Sequence, residues 1–166
     1  MIELQLKPTI YSYDTCRDFA AELQLGAKDL IITNQYIFDP NFKELDLPCH
    51  VLFQEKYGSG EPSDEMAEAI YRDMPGDVNR IIGIGGGTVM DLCKLFVLKR
   101  VSPILDLFDG KTAIEKDKEL ILVPTTCGTG SEVTNVSVMA SSAAIRRKAL
   151  PMKLSMPIKP SSFRSY

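Results

Sequence analysis

Arg80-Ile-Ile-Gly-Ile-Gly-Gly-Gly-Thr-Val-Met-Asp-Leu-Cys-Lys94 reads as a strand, a glycine turn and the start of a helix. Ile81, Ile82, Gly83 and Ile84 form a short apolar run, while Val89, Leu92, Cys93, Phe96 and Val97 follow at helical spacing. Between them, Gly85, Gly86 and Gly87 let the backbone approach a ligand closely and adopt a positive φ. Thr88 is expected to cap the helix, with Asp91 three residues later completing a capping-box-like pair. The N–H groups of a first helical turn have no intrahelical partners and attract anions. The stretch therefore reads as an anion site or as a turn that packs helix on sheet. Three consecutive glycines favour the former, because a plain turn does not need their entropic cost.

Upstream, short apolar strands alternate with amphipathic helices. Thr9-Ile-Tyr11 reads as a short strand, and Asp14 or Thr15 caps a helix running to about Leu25 with Cys16, Phe19, Ala20 and Leu23 on one face. Asp29-Leu-Ile-Ile-Thr33 is a buried strand whose tip carries Asn34, placed either to meet an adenosine ribose or to make a polar turn. Cys49-His-Val-Leu-Phe53 is a second strand, and Ser63 starts a helix that Pro75-Gly76 ends. Downstream, residues 105–110 read as a loop and Glu119-Leu-Ile-Leu-Val123 as a buried strand. Thr125-Thr-Cys-Gly-Thr-Gly-Ser-Glu132 is then a loop rich in hydroxyls and glycine, and Val133, Val136 and Val138 suggest further strand. Such a loop suits phosphate and ribose contacts, though plain turns share its composition. Two such loops after parallel strands favour a shared crevice. The alternation predicts an α/β fold, a parallel sheet with helices on both faces.

Composition narrows the partners. The 166 residues, 45% of them apolar, suffice for one domain with a core. A net charge of −3 and no basic cluster argue against nucleic acid as the partner. No apolar run approaches a membrane span, and the N-terminus lacks a signal-peptide pattern. Cys16, Cys49, Cys93 and Cys127 are scattered without a CxxC, as expected of a reduced, cytoplasmic protein. His50 is the single histidine.

Gly85-Gly-Gly-Thr-x-x-Asp91 together with Pro124-Thr-Thr-Cys-Gly-Thr-Gly-Ser-Glu132 resembles the iron-containing (group III) alcohol dehydrogenase family, with its GGGSxxD and PTTxGTGSE motifs. The second motif argues against the related dehydroquinate synthases and glycerol dehydrogenases. Ile32-Thr-Asn34, Gln54-Glu-Lys-Tyr-Gly58, Gly60-Glu-Pro-Ser-Asp-Glu-Met66 and Lys118-Glu-Leu-Ile-Leu-Val123 resemble the 4-hydroxybutyrate dehydrogenase branch. The resemblance implies a Rossmann-like NAD(P)-binding domain over residues 1–140, with the dehydroquinate synthase-like fold. It implies that Gly85, Gly86, Gly87 and Thr88 hold the pyrophosphate, that Asp91 supports that loop, and that Thr125, Thr126 and Thr129 line the path to the nicotinamide. Asn34 stands where many members carry an acid facing the ribose, which leaves NAD against NADP open. The implied activity is oxidation of a primary alcohol of the 4-hydroxybutyrate/succinate semialdehyde type, the partner being a small alcohol or aldehyde and self-association remaining open. In the family a second, helical domain holds iron or zinc through an aspartate and three histidines, and those ligands are missing here. The alternative is a non-catalytic dinucleotide-binding module or an inactive product of gene decay.

Residues 141–166 depart from the pattern, with Pro151, Pro157 and Pro160 among lysines and serines. An irregular tail is expected. Read in a shifted frame, residues 148–165 can encode a segment with the Pro-Glu-Leu that precedes the family's helical domain. That suggests a frameshift near residue 141 and a truncated enzyme, and an in-frame gene with no such continuation in another frame would refute it.

Overall fold

The glycine-bearing strand runs inside a parallel sheet with another strand on each side. The computed structural model describes residues 9–141 and 146–151. Along the chain come α1 (Cys16–Leu23), β1 (Asp29–Thr33), α2 (Gln35–Asn41), β2 (His50–Phe53), α3 (Asp64–Asp73), β3 (Arg80–Gly85), α4 (Gly87–Phe96), α5 (Leu105–Phe108), β4 (Glu119–Pro124), β5 (Val136–Ser141) and β6 (Arg146–Pro151). Four strands form the sheet in the order β2-β1-β3-β4, all parallel. β5 and β6 form a separate antiparallel pair. At position 10, where a short strand is expected, the described backbone makes only an isolated bridge.

Parallel strands need crossover helices on both faces, so their side chains alternate between two buried layers. Leu30, Ile32, Ile81, Leu120 and Leu122 join α3, α4 and Leu150 in one core. Ile31, Ile82, Ile84, Ile121 and Val123 pack with Phe19, Leu23 and Phe42 in the other. The two residue sets interleave along each strand, so the strands read in the sequence as continuous apolar runs. At the amino ends, Arg80 clamps Asp29 with two hydrogen bonds, Nε to Oδ1 at 2.8 Å and a second guanidinium nitrogen to Oδ2 at 2.7 Å. Those residues face each other across β1 and β3, so the ion pair supports their register.

Helix signals in the sequence are largely realised. Thr15 caps α1 by accepting from the Asp18 N–H at 3.1 Å, and Ser63 caps α3 by accepting from the Met66 N–H at 3.2 Å. α2 and α5 were not expected. α2 carries Pro40 in its interior, which masks the helical pattern in the sequence, and α5 is a single turn over 105–108 where a loop is predicted. Among the described residues no helix is long and apolar enough to cross a membrane.

The expected boundary at residue 140 falls within β5. Residues 146–151 are a strand and not irregular: β6 pairs with β5 from Ser141↔Arg146 to Val136↔Pro151, and Leu150 is buried. Pro151 is tolerated because it ends the strand. Residues 142–145 and 152–166 lie outside the described residues, so the expectation of irregularity there, and Pro157 and Pro160 with it, has no structural counterpart.

Candidate functional site at the carboxyl edge of the sheet

β1 leads through α2 to β2 on one side, while β3 leads through α4 to β4 on the other. α2 contributes to one core and α4 to the opposite one. The chain thus reverses its direction of growth between β1 and β3. In open α/β sheets a crevice opens at such a switch point, outside the carboxyl ends of the strands. Here its walls are the residues after β1 (Asn34), after β3 (Gly86–Gly87) and after β4 (Thr125 onward).

The glycines serve close approach. None of Gly85, Gly86 or Gly87 is among the positive-φ glycines, which corrects the expected use of the left-handed region. A Cβ on Gly86 would lie 3.3 Å from Thr126 Oγ1, and one on Gly87 would lie 3.2 Å from Thr129 Cγ2. The two loops therefore meet edge to edge. The Thr125 N–H also donates to the Gly85 carbonyl at 3.1 Å, extending the β3–β4 ladder into the crevice. Gly83 and Gly85 serve helix packing instead, since a Cβ there would meet Cys93 Sγ at 2.7 Å or Val89 Cγ2 at 2.8 Å. Their missing side chains seat α4 on the sheet.

α4 begins at Gly87 with Gly86 as its N-cap, and no side chain caps it. Thr88 is therefore not the cap. Its hydroxyl donates to the Gly60 carbonyl at 2.9 Å and ties the first turn of α4 to the loop before α3. An uncapped first turn of a ten-residue helix, lined by glycine, leaves backbone donors for an anion. A glycine cradle that a side chain would fill, next to such a turn, fits a dinucleotide pyrophosphate. Thr125, Thr126 and Thr129 lie exposed on the facing loop, and Ser131 is buried below them.

Asp91 sits one turn inside α4, away from the glycine loop, and forms no capping box. Its Oδ2 accepts from the Val138 N–H at 3.2 Å, its Oδ1 from Lys94 Nζ at 2.9 Å, and its carbonyl from Ser137 Oγ at 2.8 Å. Lys94, fully buried, also donates to Thr134 Oγ1 at 3.2 Å and to the Val136 carbonyl at 2.8 Å. Burial pulls the Lys94 ammonium below the usual lysine range, and the Asp91 carboxylate opposes that shift. Glu132 adds negative charge nearby, its Oε2 buried without a hydrogen-bond partner among the described residues. This cluster fixes the downstream end of the hydroxyl loop to α4. Lys94 was missed in the sequence because it lies off the apolar stripe of α4, where a lysine is expected to be solvated, yet β5 covers that side; its i,i+3 spacing from Asp91 is the signal that points to it.

Asn34, half-buried at the end of β1, is the N-cap of α2 by position but makes no cap bond. Its amide instead donates to Gln54 Oε1 at 3.2 Å and Glu55 Oε2 at 2.9 Å. His50 is exposed at the start of β2, at the opposite end of the strands from the crevice. Among the described residues no group of three or more His, Cys, Asp or Glu side chains could hold a metal ion.

The model of the iron-containing alcohol dehydrogenase family matches residues 8–157. The 4-hydroxybutyrate dehydrogenase of Clostridium kluyveri is 50% identical over 137 residues, covering 81% of this chain and 37% of that protein. Long-chain-alcohol dehydrogenase 1 of Geobacillus thermodenitrificans is 36% identical over 135 residues, covering 70% of this chain and 33% of its own length. The chain thus spans about a third of the length of these curated relatives. Among solved structures, the sulfoacetaldehyde reductase of Bifidobacterium kashiwanohense, crystallised with NAD+, shares the fold with a TM-score of 0.77 at 21% identity, covering 97% of this chain and 46% of that one. The NADH-dependent butanol dehydrogenase A of Thermotoga maritima does so with a TM-score of 0.75 at 18% identity, covering 97% and 44%. Motifs, overall sequence and backbone agree: this chain belongs to the iron-containing alcohol dehydrogenase family.

Proposed function

We propose that residues 9–141 form the dinucleotide-binding half of an NAD(P)-dependent oxidoreductase acting on a primary alcohol of the 4-hydroxybutyrate/succinate semialdehyde type. The convergence of the loops after β3 and β4 at the switch point carries this reading, since a Cβ at Gly86 or Gly87 would crowd the facing threonines. The substrate class rests on the 50% identity to the Clostridium kluyveri protein.

Gly86 and Gly87 admit the pyrophosphate to the backbone N–H groups opening α4, which Gly85 lets sit close on the sheet, and the helix dipole favours its negative charge. Thr88 holds that turn against the Gly60 carbonyl. Thr125, Thr126 and Thr129 offer hydroxyls towards the nicotinamide end, while Asn34 and its neighbours face the adenosine ribose. Asp91 acts at one remove, by anchoring β5 and Lys94. A dinucleotide held there would supply hydride-transfer chemistry. The metal implied by the family name does not fit the described residues, which hold no cluster able to ligate it. The second reading is a module that binds dinucleotide without turning substrate over.

Fluorescence titration of NADH and NADPH against the purified chain, followed by a 4-hydroxybutyrate oxidation assay with added iron or zinc, separates the readings. Binding without turnover supports the module. Turnover that survives removal of contaminating full-length enzyme would establish a catalyst, and failure of both cofactors to bind would refute the proposal at its root.

A further inference from the structure

β1 and β2 run side by side with Thr33 opposite Phe53, so the residues just past them share the edge of the crevice. Asn34 follows β1, and Gln54 and Glu55 follow β2 in a short 3₁₀ turn. Glu55 reaches across this edge. Its Oε2 accepts from the Asn34 amide at 2.9 Å and its Oε1 from the Gln35 N–H at 2.6 Å. Gln54 holds the turn in place: it is buried, accepts from Asn34 at 3.2 Å, and donates to the Gly58 carbonyl at 2.9 Å and to Met66 Sδ at 3.3 Å.

Given the dinucleotide site proposed above, on which this inference rests, the geometry points to Glu55 as the residue that selects between NAD and NADP. Asn34 is neutral and by itself would not repel a 2′-phosphate. Glu55 restores a carboxylate to the same spot from the neighbouring strand. It acts in two ways. Its negative charge opposes the phosphate, and it occupies the two donors, the Asn34 amide and the Gln35 N–H at the start of α2, that such a phosphate would recruit. A ribose 2′-hydroxyl, which can donate to a carboxylate, meets neither obstacle. The nearest cation in sequence, Lys56, has its ammonium 5.2 Å from the centre of the Phe53 ring.

NADH and NADPH are titrated by fluorescence into the full chain and into Glu55→Gln, each at low salt and at about 0.5 M NaCl, where the Debye length falls to a few ångströms. The unmodified chain is expected to prefer NADH by about tenfold or more, the ratio set by a unit charge facing a phosphate at close range. Glu55→Gln narrows that ratio by about tenfold, and salt narrows it in the unmodified chain but not in the variant. Equal or tighter NADPH binding by the unmodified chain overturns the assignment, as does a ratio within twofold of the original in Glu55→Gln. Should that variant fail to fold, a ratio insensitive to salt in the unmodified chain has the same force. If neither cofactor binds the unmodified chain, the dinucleotide reading falls first and takes this assignment with it. If both bind and only the ratio misbehaves, Glu55 alone is at fault.

Discussion

In the proposed site Gly86 would admit the ligand, and Lys94 holds the facing loop to α4. Replacing Gly86 with Val places a branched side chain against Thr126, whose hydroxyl is 3.3 Å from the first added carbon. Gly86 has φ −84°, which any residue adopts, so no backbone strain accompanies the change. NADH affinity is expected to fall tenfold or more while the melting temperature moves by only a few degrees; unchanged affinity would make the loop purely structural. Lys94→Met is the converse case. It leaves the Asp91 carboxylate without its buried counter-ion, and removing one partner of a buried pair costs about 3–5 kcal/mol. Urea denaturation should show a loss near that size, and a loss under about 1 kcal/mol would mean that the ammonium is dispensable. The close approach at Gly86 was legible in the sequence, because a run of glycines leaves room for a neighbouring loop. Of Lys94 only the spacing from Asp91 was readable, since a buried lysine looks like a surface one until tertiary structure supplies its other acceptors.

The seating of α4 on β3 is the contact on which the crevice depends. Eight of its ten residues are buried, from Val89 to Phe96. Gly83 meets this helix where a Cβ would come within 2.7 Å of Cys93 Sγ and 3.1 Å of Leu122 Cδ2. Gly83→Ala must therefore lift α4 or displace β4. Overpacking of this kind costs about 1–3 kcal/mol, and the lifted helix should weaken NADH binding as well, although residue 83 lies below the crevice. Equal stability of Gly83→Ala in urea would show that α4 has slack. Strands and caps were readable here from apolar runs and from Thr15 and Ser63. Pro40 hid α2, and Pro151 with its basic neighbours hid β6, because pairing with β5 overrides the segment's own propensity.

Across the whole molecule, stability should depend on alkaline pH. Burial raises the Cys16 and Cys49 thiols from 9.0 to about 11, with Asp29 adding to the shift at Cys49. Desolvation and the hydrogen bond to Asp73 raise the Tyr57 hydroxyl to about 12. A folded-state pKa above the unfolded value gives stability that is complete below the unfolded value and lost as pH rises through the folded one. Unfolding midpoints should thus hold steady up to about pH 9 and decline between about 9 and 12. Substituting Cys16 and Cys49 with Ser should flatten the first part of that decline. If the profile is the same in the double variant, the thiols are not its source. The α/β class and the shared crevice were legible at this scale, because two loops after parallel strands imply them. The switch point between β1 and β3 was not, since strand order depends on which crossovers turn back and no local pattern records that.

The close fit of Cys93 between α4 and β3 also makes the protein its own folding gauge. Cys127 is exposed, Cys16 and Cys49 are half-covered, and Cys93 is sealed, its thiol pushed far above the usual range by burial. Thiolate is the reactive form, so an alkylating reagent should modify these positions in that order. Cys127 reacts in the native state, whereas Cys93 waits for α4 to leave the sheet. The lag between the two, followed by mass spectrometry, times that opening, and a bound dinucleotide should lengthen it by mass action.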